Sequence, residues 1–308
     1  MSGTPTALRD RLERGGALIA DGATGTNYQA MGLPLGAAPE EWLFDAPERV
    51  VELHEAFIAA GSELILTSSF GATNLRLADG ALAGRGREVN LRAAELARAA
   101  ASGAVIVAGS MGPTGQLCEP LGPLSAERCE EEFAAQASAL SEGGVDVLVL
   151  ETFFALEEAI GAIRGVRRAS ELPLVVSFSF DQGTRTMMGL SPTEAVAAVV
   201  PLGVSAVGAN CGRSLADMDA VVPELLAAAA GRVPVWIKPN AGIPRIVGDA
   251  VVYDADAETF AAHARRYVAQ GARIVGGCCG ATPAHLAAIV RALGAEKPIQ
   301  DVPRREAT

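Results

Sequence analysis

The chain has 308 residues, half of them hydrophobic, and a formal net charge of −11. The acidic balance acts mainly through solubility, and no basic cluster exists to meet nucleic acid. The N-terminal stretch MSGTPTALRDRLERGG lacks the apolar run of a signal peptide, and no stretch of eighteen apolar residues is present to span a membrane. The expected location is cytoplasmic, with reduced thiols. The five cysteines, Cys118, Cys129, Cys211, Cys278 and Cys279, are odd in number and sparse. They argue against a disulfide framework and towards metal binding or catalysis.

In chain order, short apolar runs alternate with amphipathic stretches. Strands are predicted at 17–20 (ALIA), 64–67 (LILT), 105–109 (VIVAG), 147–150 (VLVL), 174–178 (LVVSF), 206–210 (AVGAN), 235–238 (VWIK) and 273–276 (RIVG). The helical segments between them carry their own start and stop signals. Pro47 opens and Gly61 closes PERVVELHEAFIAAG. Ser191 and Glu194 start a second helix, and Thr282 and Gly294 bound a third. LLAAAAG at 225–231 reads as the end of an amphipathic helix.

Continuous apolar strands suit a parallel sheet buried on both faces. Eight such strands, each followed by a helix, predict a single (β/α)8 TIM barrel over residues 1–300, with a polar tail at 301–308. A doubly wound open sheet is the competing α/β arrangement. No low-complexity linker divides the chain.

In such a barrel the active site lies at the C-terminal ends of the strands. The segments just past them, DGATGT, SSFGATN, SMGPTGQ, ETFF, SFDQGT, NCGRS, PNAGIP and GCCGAT, hold most of the unusual residues. Cys211 follows the sixth strand and Cys278/Cys279 follow the eighth. Alternate strands share interior layers, so the three sulfurs can converge. Three thiols without a histidine suit Zn²⁺ with one coordination position open. Three small buried residues, or a vicinal disulfide, are the alternatives. Cys118, also past a strand, is a candidate fourth ligand that would close the site, whereas Cys129 lies on a predicted helix.

His54, His263 and His285 all fall in predicted helices and are expected to cap or solvate helix surfaces. DGATG is half of a dinucleotide fingerprint and reads better as a loop able to hold a small anion. Asp21 and Glu151 directly follow the first and fourth strands. Asp21 is a candidate hydrogen-bond anchor for neighbouring loops. Glu151, beside Phe153 and Phe154, is a candidate for enclosing an ammonium group. Asn240 and Lys238 can reach the same mouth, and Lys238 can instead pair with an acid.

Together, DGATGT, GPTG, ETFF, GANC, KPNAG and GGCCGATPAH resemble the homocysteine S-methyltransferase family, and within it the homocysteine-binding module of cobalamin-dependent methionine synthases. The resemblance runs from Asp21 to His285. It implies a catalytic Zn²⁺ held by Cys211, Cys278 and Cys279. It implies that Glu151 meets the substrate ammonium, that Asp21, Gly22 and Ala23 meet the substrate's amino-acid backbone, and that Asn240 takes the fourth zinc position when substrate is absent. Ser68 and Ser69 depart from the family's TNTF-like segment, at the expected pocket floor.

The implied reaction is methyl transfer to the thiol of homocysteine, giving methionine. A free thiol, with a pKa of about 8.5, is mostly protonated at neutral pH, and coordination would ionise it. Little sequence follows the eighth βα unit, so the donor is expected to be separate. A methylcobalamin-bearing carrier protein is favoured over a small donor such as S-methylmethionine. A non-catalytic zinc-stabilised binding subunit is the reading from another class, and a zinc hydrolase, lacking a base beside the metal, is a third.

Overall fold

The structure is a computed structural model that describes residues 7–103, 105–247 and 250–294. The expected tail at 301–308, and the last residues of the expected barrel segment, lie outside the described residues.

The elements run α1 (Ala7–Glu13), β1 (Leu18–Ile19), α2 (Gly25–Ala30), α3 (Trp42–Asp45), α4 (Pro47–Ala60), β2 (Leu64–Leu66), α5 (Asn74–Leu77) and α6 (Gly86–Ala101). They continue through β3 (Ile106–Met111), α7 (Ala126–Glu142), β4 (Val147–Phe153), α8 (Leu156–Ala169), β5 (Leu174–Phe178), α9 (Pro192–Val199), β6 (Ala206–Cys211) and α10 (Leu215–Ala229). Last come β7 (Val235–Pro239), a hairpin of β8 (Pro244–Val247) and β9 (Ala250–Tyr253), then α11 (Ala257–Gln270), β10 (Ile274–Val275) and α12 (Pro283–Leu293).

Eight parallel strands form one sheet in the order β1-β10-β7-β6-β5-β4-β3-β2. A parallel bridge between Ala20 and Leu64 joins its two ends, so the sheet closes into the predicted (β/α)8 barrel. The first and last strands are shorter than the sequence suggests, two residues each. The β8–β9 hairpin is an addition that the sequence reading did not foresee.

The predicted helix signals operate. Pro47 occupies the first turn of α4, and Gly61 ends it with φ 105°. Ser191 and Glu194 form a reciprocal capping box on α9.

The period of two along a strand sorts residues between two cores. Leu64, Leu66, Ile106, Ala108, Val147, Val149, Val175, Ala206, Trp236 and Ile274 pack inside the barrel, with Leu8 of α1 in the same cluster. Their neighbours of opposite parity, such as Ile65, Val107, Leu148, Val176 and Val207, pack against the helices. Trp236 fits the interior because small residues face it: a Cβ on Gly208 would collide with the Trp236 backbone and side chain. Continuing the inward parity towards the C-terminal strand ends gives Ser110, Glu151, Ser177, Asn210 and Lys238, all buried. The barrel's uppermost interior layer is therefore polar, and it is the floor of the candidate site.

Candidate metal and substrate site

The sequence GGCCG brings two adjacent thiols to one place because β10 ends at Val275. Gly276 and Gly277 then permit close approach: a Cβ on Gly276 would lie 2.7 Å from the Asp21 carbonyl oxygen, and one on Gly277 would run into Ala281. Gly280 supplies the left-handed turn at φ 79°. Backbone hydrogen bonds pin the loop, from Cys278 N to Pro239 O (2.7 Å) and from Ala241 N to Cys279 O (2.9 Å). On β6, Cys211 takes φ 61°, a left-handed conformation that costs a non-glycine residue on the order of 1 kcal/mol or more. Here the chain leaves the strand and carries its thiol towards the other two.

The sulfurs of Cys211, Cys278 and Cys279 all lie within 4.8 Å of one another. A tetrahedral Zn²⁺ with Zn–S near 2.3 Å places its sulfurs about 3.8 Å apart, so the donor set fits. At this separation the thiols perturb one another's ionisation. Contact with Cys211 and Cys278 pulls the Cys279 pKa down, whereas the same contacts, with burial, push that of Cys211 up, so without a cation the cluster favours a single shared negative charge. For all three to ionise this close together, a cation between them is needed. A second feature fits. The Asn240 side-chain Nδ2–H donates to Gly212 O at 2.7 Å, which fixes the amide's orientation, and its buried Oδ1 has no partner among the described residues. Its backbone N–H donates to Cys211 O at 3.2 Å.

Cys118 does not join this cluster. Its thiol interacts with Cys129, on the α7 side of the barrel wall, and Cys129 is fully buried against Glu158 O. The β3–α7 loop sets Cys118 beside Cys129 of α7 and the first turn of α8, so position after a strand did not suffice to reach the thiol cluster.

One pocket of about 450 Å³ contains Cys211, Cys278 and Cys279 together with Glu151, Thr152, Lys238, Ser110, Ser68 and the Gly22–Thr26 segment. This lies within the roughly 300–1,000 Å³ of small-molecule sites. Phe70 and Arg76 also line it, with the Arg76 guanidinium 5.5 Å from the Phe70 ring centre. Among the described residues Arg76 makes no ion pair. Ser68 is on the wall, as expected of the floor segment, while Ser69 is turned behind it and donates to Ser110 O at 2.7 Å.

Asp21 supports the site from behind. Its Oδ1 accepts from Lys238 Nζ at 2.6 Å and its Oδ2 from Leu66 N at 2.8 Å. It is thus the loop anchor that its position suggests, while Gly22 and Ala23 form the wall itself. Burial raises the Asp21 pKa, and Lys238 opposes the rise.

Glu151 accepts from Ser110 Oγ. Burial pushes its pKa up to about 7, with Lys238 again opposing. The residues that follow it differ from expectation. In β4 the register to β5 slips by one residue between Leu150 and Phe153, a β-bulge with Thr152 at φ 66°. The bulge leaves Glu151 facing inward and sends Phe153 outward into the helix-side core, 5.6 Å from Phe133. Neither Phe153 nor Phe154 lines the pocket; its aromatic is Phe70.

The sequence reading missed Arg76, the bulge and Tyr253, whose hydroxyl interacts with the Cys279 thiol. The hairpin carrying Tyr253 did leave a signal: Ile246-Val247 and Val251-Val252 flank a Gly-Asp pair in the sequence. The expectation for the histidines needs one correction. His285 does cap α12, accepting from Thr282 N at 3.2 Å, and His263 pairs with Asp219 at 2.8 Å. His54, however, is buried in α4 at 2% exposure, because it falls on the face that α4 turns to its neighbours.

Comparison with known proteins agrees with this geometry. Residues 18–293 match the family model described as homocysteine S-methyltransferase, and the chain belongs to that family. It is 30% identical over 294 residues to methionine synthase of Mycobacterium leprae, and equally to that of Mycobacterium tuberculosis. Each alignment covers 90% of this chain and 24% of the methionine synthase, so the chain spans about a quarter of the length of those relatives. Among solved structures, the homocysteine methyltransferase MmuM of Escherichia coli in its metallated form superposes with TM-score 0.79 at 26% identity, covering 93% of this chain and 99% of that one. Its oxidized form gives TM-score 0.79 at 25% identity. No described helix is long and apolar enough to cross a membrane.

Proposed function

We propose that the chain transfers a methyl group to the thiol of homocysteine, giving methionine, with Zn²⁺ held by Cys211, Cys278 and Cys279. The observation that carries this reading is that the three thiols and the Glu151 carboxylate share one pocket. Bound there, Zn²⁺ would keep a coordinated substrate thiol ionised at neutral pH.

The chain's own residues do the rest. Glu151 accepts the substrate ammonium, whose charge lowers the carboxylate's raised pKa and favours the ionised form. Ser110 holds the carboxylate in place. Lys238, neutralised by Asp21, keeps the floor rigid and limits the pKa rise at Glu151. Gly22 and Ala23 present backbone rather than side chain to the amino acid, and Asn240 Oδ1 is available to the zinc until substrate arrives.

For the donor, the favoured reading is methylcobalamin on a separate carrier protein. Its support is the distribution of exposed large apolar residues. Leu35, Leu121, Met187, Met188, Ile243 and the hairpin residues Ile246, Val247, Val251 and Val252 all lie on segments that follow barrel strands, around the mouth. A second reading is a small sulfonium donor such as S-methylmethionine. It is favoured by Arg76, a cation on the same pocket wall that makes no ion pair among the described residues and is suited to a donor's carboxylate.

The test is an assay of the purified, zinc-loaded protein with homocysteine and, in turn, methylcobalamin, S-methylmethionine, S-adenosylmethionine and betaine. Turnover with methylcobalamin supports the carrier reading. Turnover with S-methylmethionine alone replaces it with the second. Zinc binding without turnover on any donor would leave a non-catalytic binding subunit.

A further inference from the structure

The β4 bulge directly follows Glu151, and it holds Thr152, a β-branched residue, in a left-handed conformation at φ 66°. Such a conformation persists only where its surroundings enforce it. The enforcing group is Asn210, fully buried on β6 in the same inward-facing polar layer. Its Oδ1 accepts from Thr152 N at 2.8 Å and from Ser177 Oγ at 2.6 Å. Its Nδ2 donates to Thr152 Oγ1 at 2.6 Å. A backbone N–H can only donate, so Oδ1 must face it and the amide's orientation is fixed. The same Nδ2 lies 3.7 Å from Cys278 Sγ, within reach of a weak N–H···S hydrogen bond to a metal-ligating sulfur.

We propose that Asn210 is a positioning residue that ties the amine-recognition arm to the thiol cluster: it clamps the Thr152 bulge and so fixes the backbone next to Glu151, and it orients Cys278. The proposal rests on the zinc and homocysteine reading above. Partners behind metal ligands typically change metal affinity by 10–100-fold when removed. One side chain therefore serves both ends of the substrate, and its loss is felt at both.

The experiment uses the whole chain. Zinc affinity is measured by competition with a chromophoric chelator, without turnover, and the homocysteine KM is measured at saturating zinc. Asn210→Ala is expected to weaken zinc binding by about tenfold or more and to raise the KM by a similar factor. Adding Thr152→Gly, which accepts positive φ without a clamp, is expected to restore the KM but not the zinc affinity. Asn210→Asp retains the acceptor for Thr152 N and replaces the N–H facing Cys278 with a negative oxygen. It is expected to keep the KM while weakening zinc binding, and it carries the test if the alanine variant does not fold. Zinc affinity unchanged in Asn210→Asp, or both quantities unchanged in Asn210→Ala, overturns the role of Asn210. A wild-type protein that binds no zinc overturns the underlying functional reading, and the coupling with it.

Discussion

Lys238 Nζ lies 2.6 Å from Asp21 Oδ1, and the two side chains are 3% and 2% exposed. The pair joins the first and seventh barrel strands at the floor of the pocket. Removing one member leaves the other charged and buried, which typically costs about 3–5 kcal/mol. Lys238→Met is expected to destabilise the fold by that order in urea unfolding. Adding Asp21→Asn should recover part of the loss. Equal destabilisation in the single and double variants would mean that the pair does not act as a unit.

Glu151 is expected to recognise the substrate ammonium rather than to hold metal. Glu151→Gln keeps the shape and the contact with Ser110 but not the charge. A hydrogen bond to a charged group is worth about 1.5–3 kcal/mol, so the homocysteine KM should rise roughly ten- to hundredfold, with zinc stoichiometry unchanged. Steady-state kinetics alongside metal analysis checks this, and an unchanged KM would remove Glu151 from that role.

His54 gives the fold a pH dependence away from the site. Its Nε2 has no hydrogen-bond partner among the described residues, and burial lowers its pKa to about 4. In the unfolded chain the value is about 6.5. Above pH 6.5 both states are neutral. As pH falls from 6.5 to 4 only the unfolded state takes up the proton, so stability is lost through that window, by about 3 kcal/mol. Denaturant unfolding at pH 7.5 and pH 4 should show His54→Leu losing about 3 kcal/mol less than wild type. An identical loss in the two proteins would contradict it.

Much of this architecture is legible in the sequence because both signals are local. Apolar strands such as Val147–Leu150 announce a doubly buried sheet, and glycines beside Cys278 and Cys279 announce a backbone that leaves a strand. Even the polar floor follows from parity, since Glu151 continues Val147 and Val149, and Lys238 continues Trp236. What is not legible is where parity breaks. The extra residue at Thr152 is invisible in ETFF, and it reverses the expected direction of Phe153. Cys118 and His54 fail for a related reason: position after a strand or within a helix does not say which way a loop turns or which helix face is covered.

Cys118 is expected to be dispensable for the metal. Its thiol pairs with Cys129 rather than with the pocket cluster. Cys118→Ser should retain one zinc per chain and the wild-type chelator competition curve. Loss of zinc in that variant would place Cys118 in the coordination set and close the site to substrate.

On the proposed reading, Cys211, Cys278 and Cys279 hold one metal ion and leave a position that the homocysteine thiol takes. Cobalt substitution tests it most directly, because Co²⁺ reports its ligands in its absorption spectrum. The expected result is one Co²⁺ per chain, absent in Cys211→Ala although that variant stays folded, with a thiolate-to-cobalt band that strengthens and shifts when homocysteine is added. A Co²⁺ spectrum that homocysteine leaves unchanged, or full metal retention in Cys211→Ala, would contradict the claim.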